Sequence, residues 1–375
     1  MQSVPAHGPD EVQICGGAWV KLQADGAPEY DDLARAAGLP KAREQTIAAL
    51  RAHPDALSRA TGLWLEMSGS SHRKAALLTA AAGCDSVECQ AARQVTQQGA
   101  QPADPEVAGL RDALARMALS SSDPRVYALA LHICGGTLHS AGACQMLSAA
   151  QWARLAPANA APWFAMLSAA RAANDAAAQD EALHRIATAK RSDQSFFAIP
   201  AAVLAAAPGG EASSMAALLL VVEAIGLQAA VALPSYQPIV TFCKGPALRD
   251  ENRRQTCAAI AETMVERSDT LIERGIGRAI GRELGWPAER IDRLGGEMND
   301  YMTTASPATD PTSPSCGPLR RELDRVRRQA LIGETGVLLE WVAQSGKRPE
   351  DFAREQRLRE ARREQAASAA SAAKP

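Results

Sequence analysis

The chain has 375 residues, of which 47% are hydrophobic, 22% charged and 4% aromatic, with a formal net charge of −2. That balance excludes a disordered charged chain, a collagen-like repeat and a polybasic nucleic-acid binder. Alanine makes up about a fifth of the residues and arginine far outnumbers lysine, while strand-forming β-branched and aromatic residues are scarce. The expected fold is all-α.

Residues 1–40 are rich in Gly, Pro and Asp and read as a segment wrapping over a helical array, anchored by Trp19 and Cys15. From Lys41 the apolar residues take a helical period, through Ile47, Leu50, Leu57, Leu63 and Met67. Residues 73–82 and 87–98 form the next hairpin. Asp104-Pro105-Glu106 is a helix start, with a capping Asp, Pro at the first helical position and an acid in the first turn. Asp123-Pro124-Arg125 repeats that signal, and Tyr127, Ala130, Leu131 and Cys134 then form one apolar stripe. Cys144, Leu147, Trp152 and Leu155 line a further helix that stops at Pro157-Ala158-Asn159. Another opens at Ala161-Pro162-Trp163 and ends before the turn Asn174-Asp175. Ala182, Leu183 and Ile186 mark the one after that. Helices of 12–15 residues between short polar turns are what stacked helical hairpins require, since one hairpin alone cannot bury its apolar face.

Beyond Pro200 the sequence predicts helices at 212–232, 236–243 and 250–268. A glycine-punctuated helix carries Gly275, Gly277 and Gly281, and the next follows Trp286-Pro287. Residues 303–318 read as a Ser/Thr/Pro linker with no apolar period. Leu319, Leu323, Val326 and Ala330 mark C-terminal helices over 319–345. Residues 346–375 read as a charged, Ala-rich disordered tail. The array itself spans 41–302.

Eight cysteines punctuate this plan. Cys84 with Cys89, Cys134 with Cys144, and Cys243 with Cys257 each flank an expected break between helices, where a disulfide can staple the turn. Cys15 and Cys316 pair by elimination. Such a framework implies an oxidising compartment, periplasmic or extracellular. Eight buried thiols in a cytosolic adaptor form the competing reading. A zinc site fits poorly, because Cys-x4-Cys and Cys-x9-Cys depart from the usual spacing. The N-terminal residues Met1–His7 carry no basic and apolar signal-peptide pattern, which cuts against export. Met215–Leu233 is long enough for a bilayer but contains Glu223 and Gln228, so a buried core helix is expected rather than a membrane span.

The stretch from Trp152 through Leu155, Pro157, Asn159 and Pro162 to Trp163 resembles the junction between tetratricopeptide repeats. The hairpin of Tyr127–Cys134 and Cys144–Leu155 is similar to a Sel1-like repeat, and the resemblance as a whole covers Asp123–Ala189. The resemblance implies an α-solenoid with Trp152, Leu155, Pro157 and Trp163 as packing residues, and a concave groove that binds another protein or a peptide. It departs from the pattern where Leu167 and Ala170 replace the usual Gly and Tyr of the first helix.

Catalytic patterns are weak. Gly275-x-Gly277-x-x-x-Gly281 has the wrong spacing for a dinucleotide loop and follows a helix, which points to close helix packing. Ser71-x-x-Lys74 lacks its companion elements. Glu181-x-x-His184 has no second copy to complete a di-iron site. His132 and His139 flank Cys134 and read as turn-associated polar residues. The expectation is therefore a non-enzymatic binding or scaffold protein with no cofactor, no metal and no nucleic-acid partner. An all-α envelope enzyme is the alternative; a pocket of convergent acids with perturbed pKa values would favour it.

Overall fold

Short polar residues set the helix boundaries. The Asp104 carboxylate accepts a hydrogen bond from Glu106 N, and those of Asp175 and Asp250 accept from Ala178 N and Arg253 N; Ser148 and Thr270 cap in the same way. Each supplies an acceptor to an amide that the first turn leaves unpaired. Asn174 adopts φ 54° to make the turn before Asp175.

A computed structural model describes residues 11–13, 19–23, 30–82, 104–135, 142–210, 213–232, 234–304 and 317–372, with side chains of 70–82, 230–232, 363–364 and 366–372 excluded. Among these residues the chain is all-α. The one hairpin of strands joins β1 (Glu11–Gln13) to β2 (Trp19–Lys21), antiparallel, with Val12 opposite Val20. Sixteen helices follow: α1 (Tyr30–Ala36), α2 (Leu39–Ala52), α3 (Ala56–Ala82), α4 (Pro105–Ser120), α5 (Pro124–Gly135), α6 (Ala149–Leu155), α7 (Ala161–Ala172) and α8 (Ala176–Thr188). Then come α9 (Ala198–Ala206), α10 (Ser214–Ala232), α11 (Gln237–Phe242), α12 (Glu251–Glu266), α13 (Leu271–Glu283), α14 (Ala288–Thr304), α15 (Gly317–Gln344) and α16 (Pro349–Ala372). Helix α15 is broken at Gly333, whose φ of 73° and ψ of 168° are not helical.

Two main cores lie side by side. One gathers Leu63, Trp64, Leu114, Tyr127 and Trp152 from α3 to α6. The other gathers Phe164, Ile186, Ile260, Met264 and Ile280 from α7, α8, α12 and α13. Neighbouring helices pair as hairpins: α2 with α3, α3 with α4, α7 with α8, α9 with α10, and α12 with α13. The α9–α10 hairpin also packs back on α2 and α3, and α15 crosses both of its helices. In a one-dimensional stack each unit touches only its neighbours in sequence. These longer-range contacts depart from that rule.

Several expectations are realised. Disulfides Cys134–Cys144 and Cys243–Cys257 form, with Cα atoms 5.4 and 5.5 Å apart. Cys15, Cys84, Cys89 and Cys316 lie outside the described residues, as do most of the 303–318 linker and the 87–98 segment. No helix among the described residues is long and apolar enough to cross a membrane. Within α10, Glu223 instead meets Arg43 of α2 at 3.0 Å. Glycine packing is equally concrete. A Cβ at Gly277 would sit 2.9 Å from Ala261 O, and one at Gly281 would enter the Trp286 ring.

Others are corrected. The C-terminal segment expected to be a disordered tail is helix α16, lying along α14 with Phe352, Ala353 and Gln356 buried. Those residues fall at i, i+1 and i+4, too short a stripe to stand out against the Arg and Glu around it. The helix expected across Cys144–Leu155 is a 3-10 turn (Gly142–Met146) and then α6, separated where Ser148 caps. Val20, not Trp19, anchors the N-terminal hairpin; Trp19 is 41% exposed. Trp152 is buried and Leu155 half-buried, while Pro157 is exposed in the turn. Trp163 is only half-buried, with the Arg185 guanidinium 5.5 Å over its ring; the inward residue is Phe164.

Replacing Phe352 by Ala is therefore expected to cost about 3–5 kcal/mol, and replacing Trp163 by Ala roughly half that. Urea melts of the two variants check this order, and equal costs or a reversed order would contradict it.

Candidate functional site

The connection between α8 and α9 carries the site. Residues 189–195 run as an extended strap between two other chain segments. On one side the strap pairs in parallel with the α6–α7 turn, Asn159 opposite Arg191; on the other it pairs with the α12–α13 corner, Ser192 opposite Ser268. Ala160 N donates to Arg191 O at 2.9 Å, Ser192 N to Arg267 O at 2.8 Å, and Asp269 N to Ser192 O at 2.9 Å. Side chains finish the clamp. Buried Asn159 donates from Nδ2 to Asp193 O at 2.8 Å and accepts at Oδ1 from Asp193 N and Ala161 N. Asn suits the place because one amide offers both a donor and an acceptor.

Four carboxyl groups from three segments meet at this clamp. Asp193 accepts from Ser195 N at 2.7 Å and from Ser195 Oγ at 3.0 Å, holding Ser195 at φ 53°. Asp269 accepts from Gln194 N at 3.0 Å, with the Asp193 carboxyl beside it. Glu273, fully buried on α13, accepts from Gln194 Nε2 at 2.8 Å and Tyr236 Oη at 2.9 Å. Glu334, just past the α15 break, takes Leu271 N at 2.9 Å, while its own N–H goes to Asp269 O at 2.7 Å. Gly333 is required there: a Cβ would lie 2.8 Å from Asp269 Cα, in a left-handed backbone.

Burial pushes the pKa of Asp269 well up, and the neighbouring Asp193 and Glu273 carboxylates push it further. Burial likewise raises Glu273 and Glu334, against the hydrogen bonds that favour their charged forms. The Tyr236 hydroxyl is raised by burial and by Glu273 beside it. Among the described residues no cation hydrogen-bonds to Asp193, Asp269 or Glu273, and no group of three His, Cys, Asp or Glu could hold a metal ion. His132 belongs to another environment. Its ring stands edge-on to Trp152 at 5.4 Å, and burial lowers its pKa to about 4.

Two cavities open on either side of the strap. The larger, about 440 Å³, has Ser192, Asp193, Ser268 and Asp269 on one side and Leu331, Ile332, Gly336 and Leu339 of α15 on the other. The smaller, about 320 Å³, lies toward Trp152, Asp123 and Asn159. Arg125, Arg191, Asp193 and Ser195 line both. Arg125 is held bidentately by Asp123, with contacts of 3.1 and 2.7 Å. Exposed Arg191 has no side-chain partner among the described residues.

The chain matches no family model, no curated protein and no solved structure.

Sequence reasoning reached some of these residues. The Pro157-x-Asn159 signal points to the turn that clamps the strap. Asp193, Asp269, Glu273 and Glu334 stand in no motif; their convergence follows only from the parallel pairing of segments far apart in the chain. Glu181 pairs with Arg185 at 2.7 Å, and His184 is exposed, so that spacing is a solvated face. Side chains of Ser71 and Lys74 lie outside the described residues, as does His139.

A carboxyl group whose folded pKa lies above its unfolded value binds extra protons in the folded state. Its stabilisation is full below the unfolded value, 3.8 for Asp and 4.5 for Glu, and is lost as pH rises through the folded one. His132 has the opposite sign: its neutral ring favours folding, and that contribution is lost as pH falls from 6.5 toward about 4. Substituting Asp269 by Asn should flatten the decline in urea midpoint with rising pH while leaving the low-pH loss from His132 intact. Parallel pH profiles for the wild type and D269N would contradict the assignment.

Proposed function

We propose that this protein is a non-enzymatic, helical-hairpin scaffold that holds an extended segment of a partner protein in the groove between the strap and α15. The observation that carries the reading is the broken helix. At Gly333 the helical ladder stops, and Glu334 N is given to Asp269 rather than to Ala330. Carbonyls at the end of the preceding half-helix are left for other donors, as at any helix terminus. Leu331, 76% exposed, and Leu339 stand beside them. Backbone acceptors flanked by uncovered apolar side chains are what an extended peptide can use. The tetratricopeptide-like resemblance over 123–189 supports the same reading. The two disulfides support an oxidising compartment, for which a bacterial periplasm is our choice.

A second reading, an all-α envelope hydrolase, draws on Asp269 beside Asp193 in the groove, because an acid with a raised pKa marks many active sites. Against it, Ser195 and Gln194 already hold oxygens of both groups in folding the strap.

Selection of displayed peptides against the full chain tests the binding reading. Enriched peptides should lose at least about tenfold in affinity toward L331E/L339E, whose melting should stay within ~0.5 kcal/mol per exposed substitution. No enrichment, or undiminished binding by the variant, contradicts it.

A further inference from the structure

Gln329 stands on the α15 wall of the groove, one turn before the break at Gly333, and lines the cavity. The residue is 4% exposed, and among the described residues its side-chain amide makes no hydrogen bond. Buried polar groups in folded proteins are almost always paired, so an unpaired amide facing a cavity needs an explanation. That amide has one acceptor oxygen and two N–H donors. Whatever satisfies it must donate as well as accept.

Its surroundings narrow the choice. Three cations of the lining, Arg125, Arg191 and Arg267, stand with three acids, Asp193, Asp269 and Glu266. A charged group entering so balanced a lining meets no net attraction to offset its lost hydration. A peptide unit is neutral, and each residue of an extended main chain turns its N–H and C=O to the same side. The chain already contains such a pairing. On the far side of the strap, Asn159 donates from Nδ2 to Asp193 O at 2.8 Å and accepts at Oδ1 from Asp193 N at 2.9 Å. One side-chain amide thus holds both main-chain groups of one extended residue. Gln329 presents the same amide from the facing wall, without a protein partner. Ala330 O, which Glu334 N leaves for Asp269 O, offers a further acceptor one residue on.

We propose that Gln329 holds the main chain of the bound segment, its amide accepting from the N–H and donating to the C=O of one extended residue. This role rests on the groove being a peptide site, and it makes recognition at that point indifferent to side-chain charge. Choice among segments is left to the side chains that meet Leu331 and Leu339.

The test uses the full chain and a fluorescein-labelled ten-residue peptide, the tightest binder from the displayed-peptide selection. A companion set replaces each backbone amide of that peptide in turn by an ester, which keeps the side chains and removes one N–H donor. With wild type, at least one ester should weaken binding about tenfold. Q329M has a similar shape but neither donor nor acceptor. It should bind the parent peptide about tenfold more weakly, and the same ester should then cost no more than about twofold. Q329E keeps the acceptor and gives up both donors, so it should weaken the parent while staying sensitive to that ester. Both variants are first shown to fold by thermal melting, and if Q329M does not fold, undiminished affinity of Q329E overturns the proposal. Parent binding by Q329M equal to wild type, or an ester effect of equal size in both, would overturn the main-chain role; weakened binding by L331E/L339E would then leave the groove reading standing. Weaker binding by Q329M with no ester effect in wild type would mean that Gln329 holds a side chain, which also overturns it. Absence of any peptide that binds wild type would overturn both readings.

Discussion

Parallel pairing of one short strap with two distant corners is the constraint on which the rest of the structure depends. Residues 189–195 have no helix to satisfy their backbone, and a buried backbone without partners is costly. Asn159 and the 267–269 corner supply those partners from opposite sides. Because Asn159 follows α6 and the 267–269 corner joins α12 to α13, the strap ties the first core to the second. The same pinning places Asp193, Ser195 and Asp269 at one wall of a groove and the Gly333 break of α15 at the other.

Acids do the tying, and this shapes the electrostatics. Carboxyl groups are good acceptors for several amides at once, so Asp193, Asp269 and Glu334 can each fold a corner. Burial raises the proton affinity of Asp269 and of Glu334, and the neighbouring Asp193 and Glu273 carboxylates raise that of Asp269 further. Elsewhere the chain follows the opposite policy. Glu297 is buried against Arg274 at 2.8 Å, and Lys347 meets Asp300 at 2.7 Å between α14 and α16.

Local signals were legible where they act locally. Asp104-Pro105, Asp123-Pro124 and Asn174-Asp175 start helices where the residues say they should, and Cys134–Cys144 and Cys243–Cys257 close short turns. Signals that depend on tertiary partners were not. Helix α16 is mostly polar because α14 covers only a short stripe around Phe352. Trp163 and Phe164 are adjacent aromatics, and nothing local says which one faces inward. The acid cluster was invisible because its members lie up to 141 residues apart, from Asp193 to Glu334. The hairpin period likewise says nothing of α9 and α10 folding back on α2 and α3.

Amide hydrogen exchange in an Asn159→Ala variant tests the central claim most directly. If the clamp couples the two cores, the amides of Ser192, Asp193 and Asp269 lose protection together, while Leu114 and Tyr127 in the first core keep theirs. Retained protection at the strap, or a uniform loss across both cores, would show that the strap is a passive connection and that the groove is held by something else.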